Sequence, residues 1–377
     1  MAGASTTTWA VIAGGGTAGH VLPALAVGQA LVARGQHPSA VHFVGSARGI
    51  EARLVPAAGF EVTLLSGRGI ARRITAANIG AAAGTVRAAV RALALLARRR
   101  PRVVLVVGGY ASVPCAVGAV LLRVPMVVHE QNAVPGLANR LAARFARASA
   151  VSFDGTDLPR AVTTGNPVRP EVLAVDRSPE GRAAARQSLG VPSDRMVVAV
   201  FGGSLGARRI NEAVSGMADG WAQRDDLTVY HVVGSRDWAT FVAPVPPPGT
   251  EGGLVYRAVE YEERMPLLLA AADVAVCRAG GTSVAELAAV GLPAVFVPLP
   301  IAPNDHQTAN ASALVDAGAA VIVPDAELTP ERLMAELGPL LEDAGRRQAM
   351  EVAGRALARP DAAERVAALM EQYARGG

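Results

Sequence analysis

Apolar residues in this chain fall into short runs, separated by longer stretches where they recur at helical spacing. The runs "WAVIA", "AVHFVG", "EVTLL", "RVVLVVGG" and "PMVVHE" are strand-like. Between them lie Ala- and Arg-rich segments of helical length, such as "ITAANIGAAAGTVRAAVRALALLARRR". Such alternation predicts parallel β-α units. After "TGNPVRPEVL" the pattern restarts with "RMVVAVFGG", "LTVYHVVG", "GLVYRAV", "ADVAVCRAGG", "PAVFVPLP" and "AAVIVPD". Two doubly wound α/β domains are therefore expected, hinged near Asn166 and Pro167. The stretch "PDAAERVAALMEQYARGG" predicts a terminal amphipathic helix, and "VAPVPPPGTEGG" a loop in the second domain.

Each domain places glycines after its first strand, "GGGTAGH" in one and "FGGSLGAR" in the other. Gly14, Gly16 and Gly19 fit G-x-G-x-x-G, the phosphate-cradling turn between a strand and a helix. A nicotinamide enzyme would want an acid near the end of its second strand, but "VHFVGSARG" offers none before Glu51. Glycine loops in both domains suggest instead a substrate held in a cleft between them, at the carboxyl ends of the strands. His20 ends the first loop at the mouth of a helix, whose positive end favours a neutral imidazole able to accept a proton. A structural His20 is the alternative, and the residues leave both open.

A chain of 377 residues can form two cores, and 51% apolar with 18% charged residues describes a globular protein. No apolar run reaches the length of a bilayer-spanning helix, and "MAGASTTTWAVIAGGG" lacks the regions of a signal peptide. Cys115 and Cys277, far apart in apolar surroundings, read as buried small hydrophobes and suggest a cytosolic address. All 36 basic residues are arginine, which excludes lysine-dependent chemistry such as a P-loop NTPase or a Schiff-base enzyme. The net charge of +4 hides an asymmetry: 17 Arg face 5 acids up to Gly165, and 19 face 27 beyond it. The basic half is either a solvated surface or a partner for anions, such as a phosphate-bearing substrate or an acidic membrane face. Aromatics, at 4%, do not interleave with the arginines, which disfavours a nucleic-acid groove.

The remaining motifs sit at predicted strand ends. "GGYASVP" (108–114) and "HEQNAVPGLANR" (129–140) each follow a buried run. His129, Glu130, Gln131 and Asn132 in succession are costly to bury without partners, so a functional rim is favoured over a helix-capping turn. "GGSLGARRIN" (202–211) presents amides and Ser204 at a helix start, suited to a diphosphate. "CRAGGTSVAELAAVGLP" (277–293) repeats the device, with Glu286 one turn in. That carboxylate could accept from ribose hydroxyls or simply favour the helix dipole. "NDHQTANA" (304–311) adds His306 and Gln307. With no D-x-D, no H-x-x-H and no carboxylate cluster, a metal site is not expected.

Taken together, "GGGTAGHVLPALAV", "GGYASVP", "HEQNAVPGLANR", "TGNPVR", "FGGSLGARRIN" and "CRAGGTSVAELAAVGLPAVFVPLP…NDHQTANA" resemble the MurG family of peptidoglycan glycosyltransferases. The motifs keep the family's order from about residue 10 to residue 320. The resemblance implies a GT-B architecture, with two Rossmann-like doubly wound domains facing across a cleft. Residues 1–165 would bind the acceptor and face the membrane, and residues 166–355 would bind UDP-N-acetylglucosamine. Residues 356–377 would form a helix returning to the first domain. The implied reaction moves N-acetylglucosamine to the muramoyl 4-hydroxyl of undecaprenyl-diphospho-muramoyl pentapeptide (lipid I), giving lipid II. It would invert α to β in one displacement, without metal or cofactor. The implied location is the cytoplasmic face of the cell membrane, as a peripheral protein on an anionic surface, with no nucleic-acid partner.

Residue by residue, the resemblance implies that Thr17, Ala18, Gly19 and Asn132 contact the donor sugar, and Arg169 and Ser204 the diphosphate. Gly281, Thr282, Ser283, Val284, Ala285 and Glu286 would hold the nucleotide, with Glu286 on the ribose. His306 and Gln307 would bind sugar hydroxyls. Gly16, Tyr110, Ser112 and Asn139 would surround the acceptor, with His20, His129 and Glu130 as catalytic candidates and His20 the first choice of base. Three departures stand out. Leu205 replaces a glutamine common in the family, and Glu262 stands where an apolar residue usually precedes the uracil contact. "GIARRITAANIG" offers Arg72, Arg73, Ile74 and Ile79, but no aromatics, as a membrane patch. A UDP-N-acetylglucosamine 2-epimerase of similar fold would need no lipid acceptor, and the acceptor-side motifs argue against it. A catalytically dead sugar-nucleotide module is opposed by the intact His20, Asn132, Arg169 and Glu286.

Overall fold

A computed structural model describes residues 8–47, 49–66, 77–203, 206–242 and 252–376. The chain divides into two compact units, Met1–Arg169 with Arg359–Gly377, and Pro170–Ala358.

The first unit runs β1 (Ala10–Ala13), α1 (Ala18–Ala33), β2 (Val41–Ser46), α2 (Glu51–Ala57), β3 (Glu61–Leu65) and α3 (Ala77–Arg99). It continues with β4 (Val103–Val106), α4 (Ser112–Leu121), β5 (Met126–Glu130), α5 (Leu137–Ala143), β6 (Ala148–Val151) and β7 (Ala161–Thr163). Among the described residues these strands form one sheet in the order β3-β2-β1-β4-β5-β6-β7. Every pairing in it is parallel, as the doubly wound reading requires. β1, β4 and β5 are buried throughout, because helices cover both faces of such a sheet. Ile12 packs with Val21, Leu25, Leu31 and Phe43 on one face. Its neighbour Val11 packs with Leu96, Val104, Val106 and Val128 on the other, as the two-residue period of a strand demands.

The second unit runs α6 (Pro170–Leu173), α7 (Pro179–Leu189), β8 (Met196–Phe201), α8 (Arg208–Gly220), β9 (Leu227–Val232), β10 (Val255–Val259) and α9 (Met265–Ala271). There follow β11 (Val274–Cys277), α10 (Gly281–Val290), β12 (Ala294–Phe296), α11 (His306–Asp316), β13 (Ala320–Ile322), α12 (Pro330–Glu342) and α13 (Ala344–Leu357). Its parallel sheet has the order β10-β9-β8-β11-β12-β13. Asp273, just before β11, accepts from Val197 N at 2.7 Å and from the guanidinium of Arg186 at 2.8 Å, so one buried carboxylate ties α7 to two strands. The chain then re-enters the first unit as α14 (Ala362–Tyr373). Its residues Val366, Ala367 and Met370 join the core beside α1, and Arg34 pairs with Glu371 at 2.5 Å. Cys115 and Cys277 are free and fully buried, and burial pushes both thiols upward.

His42, His129 and His231 are buried on β2, β5 and β9, and each imidazole is lowered to about 4, with burial the main cause. All three are neutral in the fold, while the unfolded chain titrates near the ordinary value of about 6.5. Between those values the unfolded state binds more protons, so stability falls as pH drops from 6.5 toward 4. His231 is the one of the three in the second unit. The urea stability of that unit, followed through Trp221 and Trp238, is expected to lose roughly 1.4 kcal/mol per pH unit below pH 6.5. His231→Gln should flatten that slope between pH 6.5 and 5. An unchanged slope would refute the assignment.

Candidate active site

In the first unit the strand order reverses between β1 and β4. Crossovers leave these strands in opposite directions, so their following loops part and open a crevice at the carboxyl ends. The glycine loop after β1 stands there, but its amides are already used. Gly14 N donates to Val44 O at 3.0 Å and Gly15 N to Gly108 O at 3.2 Å. Gly16 N donates to both carboxylate oxygens of Glu51 at 3.0 Å. Gly109 has φ +81°, and a Cβ there would collide with Gly15 O, so the two loops interlock only because glycine occupies the contact.

Thr17 is the N-cap of α1, and Ala18, Gly19 and His20 form its first turn. The Thr17 hydroxyl lies 3.0 Å from His20 Nδ1. When Nδ1–H donates to Thr17, Nε2 becomes the basic atom of the ring. The ring lies against the next loop, where a Cβ at Gly108 would be 3.0 Å from Nε2. Behind it sits His129, fully buried, held neutral first by burial and further by the neighbouring His20.

Glu130, read from sequence as a catalytic candidate, is 1% exposed and its carboxylate is saturated. Oε1 accepts from Asn132 N at 3.0 Å and Asn132 Nδ2 at 3.2 Å. Oε2 accepts from Gly136 N at 3.0 Å and Asn139 Nδ2 at 2.9 Å. A carboxylate holding four donors is organised to fix the 131–136 loop, with no lone pair directed outward for a proton. Two residues read as acceptor contacts are likewise turned inward. Ser112 donates to Gly109 O at 2.7 Å, and Asn139 Nδ2 to His129 O at 3.0 Å. The Tyr110 hydroxyl, Asn139 Oδ1 and both polar atoms of the Asn166 side chain are buried without a partner among the described residues. Unsatisfied polar atoms at this end of a sheet suit a polar ligand or water. Arg169, half-buried, ends the unit's first segment.

The second unit repeats the plan, its strand order reversing between β8 and β11. Ser204 and Leu205 lie outside the described residues. α8, which follows them, is pinned from below. Asn211 Nδ2 donates to Val233 O at 3.1 Å and Asp237 Oδ2 at 3.2 Å, so its Oδ1 faces His231 Nε2 at 3.0 Å. That fixes the His231 tautomer, and Nδ1 accepts from Tyr256 OH at 2.6 Å.

α10 opens at the end of β11, with Gly280 as N-cap and Gly281, Thr282, Ser283, Val284, Ala285 and Glu286 as its opening residues. Thr282 and Glu286, each 9% exposed, stand one turn apart on the same face. The first amides of the helix have no intrahelical acceptor and point where an anion can sit. Val284 is buried in the unit's interior, and its N–H donates to Gly280 O at 3.0 Å as the helix begins. Arg278 spans Val297 O at 3.0 Å, Pro298 O at 3.1 Å and Asp325 at 2.6 Å, fixing the loop beyond β12. There Asn304 (φ 54°) and Asp305 (φ 50°) are left-handed, a cost of roughly 1 kcal/mol or more each. The turn they make delivers His306 and Gln307 to the start of α11, and Gln307 Oε1 accepts from Leu299 N at 2.9 Å. Glu262 is 6% exposed and turned inward, accepting from Tyr230 OH at 2.5 Å and Arg264 N at 2.8 Å. An acid therefore fits where the family usually carries an apolar residue, because it gathers a buried hydroxyl and the N–H that leads into α9. Among the described residues no three His, Cys, Asp or Glu side chains cluster as a metal site would need.

Family models match both units: the glycosyltransferase family 28 N-terminal domain over residues 10–151 and its C-terminal domain over residues 197–366. The chain is 45% identical to a UDP-N-acetylglucosamine–N-acetylmuramyl-(pentapeptide) pyrophosphoryl-undecaprenol N-acetylglucosamine transferase of Nocardioides sp., covering 97% of this chain and 98% of the relative. The crystal structure of MurG from Acinetobacter baumannii superposes with a TM-score of 0.69 at 30% identity, over 97% of this chain and 99% of that one. A UDP-GlcNAc 2-epimerase from Neisseria meningitidis shares the fold at a TM-score of 0.66 but only 12% identity, over 97% and 99% of the two chains. This chain belongs to glycosyltransferase family 28, and within it to the MurG family.

Proposed function

We propose that this protein transfers N-acetylglucosamine from UDP-N-acetylglucosamine to the muramoyl 4-hydroxyl of lipid I, giving lipid II with inversion at the anomeric carbon. The observation that carries this reading is the Thr17–His20 pair, a histidine held at a helix mouth with its Nδ1 3.0 Å from a hydroxyl partner. The 4-hydroxyl oxygen bonds to the anomeric carbon as the bond to the diphosphate oxygen breaks. The hydroxyl proton passes to His20 Nε2, and UDP departs. Arg169 and the amides opening α10 stabilise the charge that grows on the leaving diphosphate. Glu286 accepts from the ribose hydroxyls. The epimerase reading rests on likeness of fold alone and gains no residue of its own.

The anionic-surface reading also gains a physical basis. Arg72, Arg73 and Ile74 lie outside the described residues, and of Ile79 only the backbone is described. α3, α4 and α5 with the turn after it nevertheless leave apolar side chains exposed at one-turn spacing: Val86 and Val90, Val113 and Val117, and Leu137, Leu141 and Phe145. Leu137 is 74% and Phe145 66% exposed, and Arg87, Arg91 and Arg140 on these helices and Arg144 at the end of α5 are exposed beside them. Apolar rows interleaved with arginines suit the interface of an anionic bilayer. No described helix is long and apolar enough to cross one.

Three outcomes test this reading. Glu286→Ala should weaken UDP-N-acetylglucosamine by about 1.5–3 kcal/mol, the cost of charged hydrogen bonds. Isothermal titration showing unchanged affinity would remove the ribose role. His20→Ala should lower kcat roughly 10²–10⁴-fold with donor affinity retained, and the acidic limb of the kcat–pH profile should vanish. A folded variant that keeps most of its kcat would send the proton elsewhere. Leu137→Glu with Phe145→Glu should cut binding to phosphatidylglycerol vesicles about tenfold or more, since each places a charge where an apolar side chain entered the bilayer. Turnover of a soluble acceptor analogue should be unaffected, and unchanged vesicle pelleting at low salt would refute the surface.

A further inference from the structure

Glu51 takes no part in the chemistry proposed above, yet the first glycine loop is built around it. Its residue is 2% exposed, and its carboxylate accepts from Ser46 N at 2.5 Å as well as from Gly16 N at 3.0 Å. A Cβ at Gly15, Gly45 or Gly49 would collide with this side chain, so glycines in the loop after β1, at the end of β2 and just beyond it make the room it fills. Ile12, Val21, Phe43 and Val55 line a small pocket with it. An ionised group in such apolar surroundings is tolerable only while those amides stay on it. The amides cannot leave without stranding the charge, and the charge cannot leave without stranding the amides.

We infer that Glu51 is a positioning residue for the transfer: its buried carboxylate is the loop's built-in anion and fixes residues 14–17, and with them the Thr17–His20 pair. The inference rests on His20 as the base. It also explains why a turn of phosphate-binding type does not bind phosphate here. Gly14, Gly15 and Gly16 donate to Val44, Gly108 and Glu51, so the position a substrate anion would take is held by the protein's own. Removing the carboxylate therefore loosens the loop without deleting a group that touches either substrate.

Glu51→Ala should lower kcat with a soluble lipid I analogue by about 10–10²-fold, the size expected for a displaced reacting group, with KM for UDP-N-acetylglucosamine nearly unchanged. Sodium formate, but not sodium chloride at equal ionic strength, should restore kcat saturably by occupying the vacated amides. In parallel, the Gly16 and Ser46 amide resonances should shift with formate in the variant and stay fixed in the parent protein. Glu51→Gln keeps the volume but turns an N–H toward a donor. It should still fold, melting below the parent because a buried donor loses its acceptor, and lose kcat, and it decides the matter alone if the alanine variant does not fold. Parent-like kcat in Glu51→Gln, or formate that raises the melting temperature of Glu51→Ala without restoring kcat, would overturn the inference. If the parent itself fails to turn over these substrates, the functional reading fails instead, and the amide shifts still report whether the loop holds a built-in anion.

Discussion

The reversal of strand order in each sheet is the constraint on which the rest depends. A parallel sheet must return every strand over one face or the other, and all its connections are right-handed by the same steric preference. Where the order reverses, the chains leaving β1 and β4, or β8 and β11, go to opposite faces. Only there do neighbouring loops separate, and only there can a ligand reach the strand ends without unfolding a helix. Residues 14–20 and 107–112 follow β1 and β4 in the first unit, and residues 278–286 follow β11 in the second, so these motifs fall at the reversals.

Loops that part must still be held, and the structure repeatedly uses buried carboxylates for this. Glu51 and Glu130 hold the loops of the first unit, Glu262 the turn into α9, and Asp273 the start of β11. Each accepts at least one backbone N–H, the group most costly to leave unpaired in an interior. A carboxylate presents two oxygens with several lone-pair directions, so one side chain can gather amides from turns distant in sequence. Gly16 and Ser46 meet at Glu51 in this way, and Asn132, Gly136 and Asn139 at Glu130.

This device also marks where the sequence is legible and where it is not. The runs around β4, β5 and β8 read as strands because β-branched residues dominate them and both faces are buried. β6, "ASAV", and β7, "AVT", escape such a reading: their residues are small or few, β7 is largely exposed, and pairing with the neighbouring strand creates them. The glycine loop is visible as a place where the chain turns sharply, since that needs only the absence of Cβ. Where its amides point depends on Glu51, 35 residues further along. Glu130 reads as a candidate acid in one dimension, because only the fold shows that Asn132, Gly136 and Asn139 of the same motif turn back to donate to it. The exposed stripe of α5 has the spacing of a core stripe, and burial alone distinguishes Leu137 from Leu31.

The absence of lysine has a structural counterpart in the second unit. Arg278 bridges two carbonyls and Asp325, and Arg186 bridges Ala271 O, Ser193 O and Asp273. Arg177 reaches Leu269 O at 2.7 Å and Ala272 O at 2.9 Å. A planar guanidinium keeps several N–H groups in fixed directions, so a single side chain can close the carbonyl ends of a helix and a strand together. An ammonium carries only three donors on one point charge. Burial lowers Arg177 to about 10, which still leaves it charged at neutral pH. A lysine starts some two units lower on the same scale, and equal burial would bring it close to losing its proton there. Arginine therefore lets cations be placed inside the unit as fixed struts. One of them, Arg278, steadies the loop whose left-handed Asn304 and Asp305 place His306 at the start of α11, so the cost of that turn is borne by a braced framework.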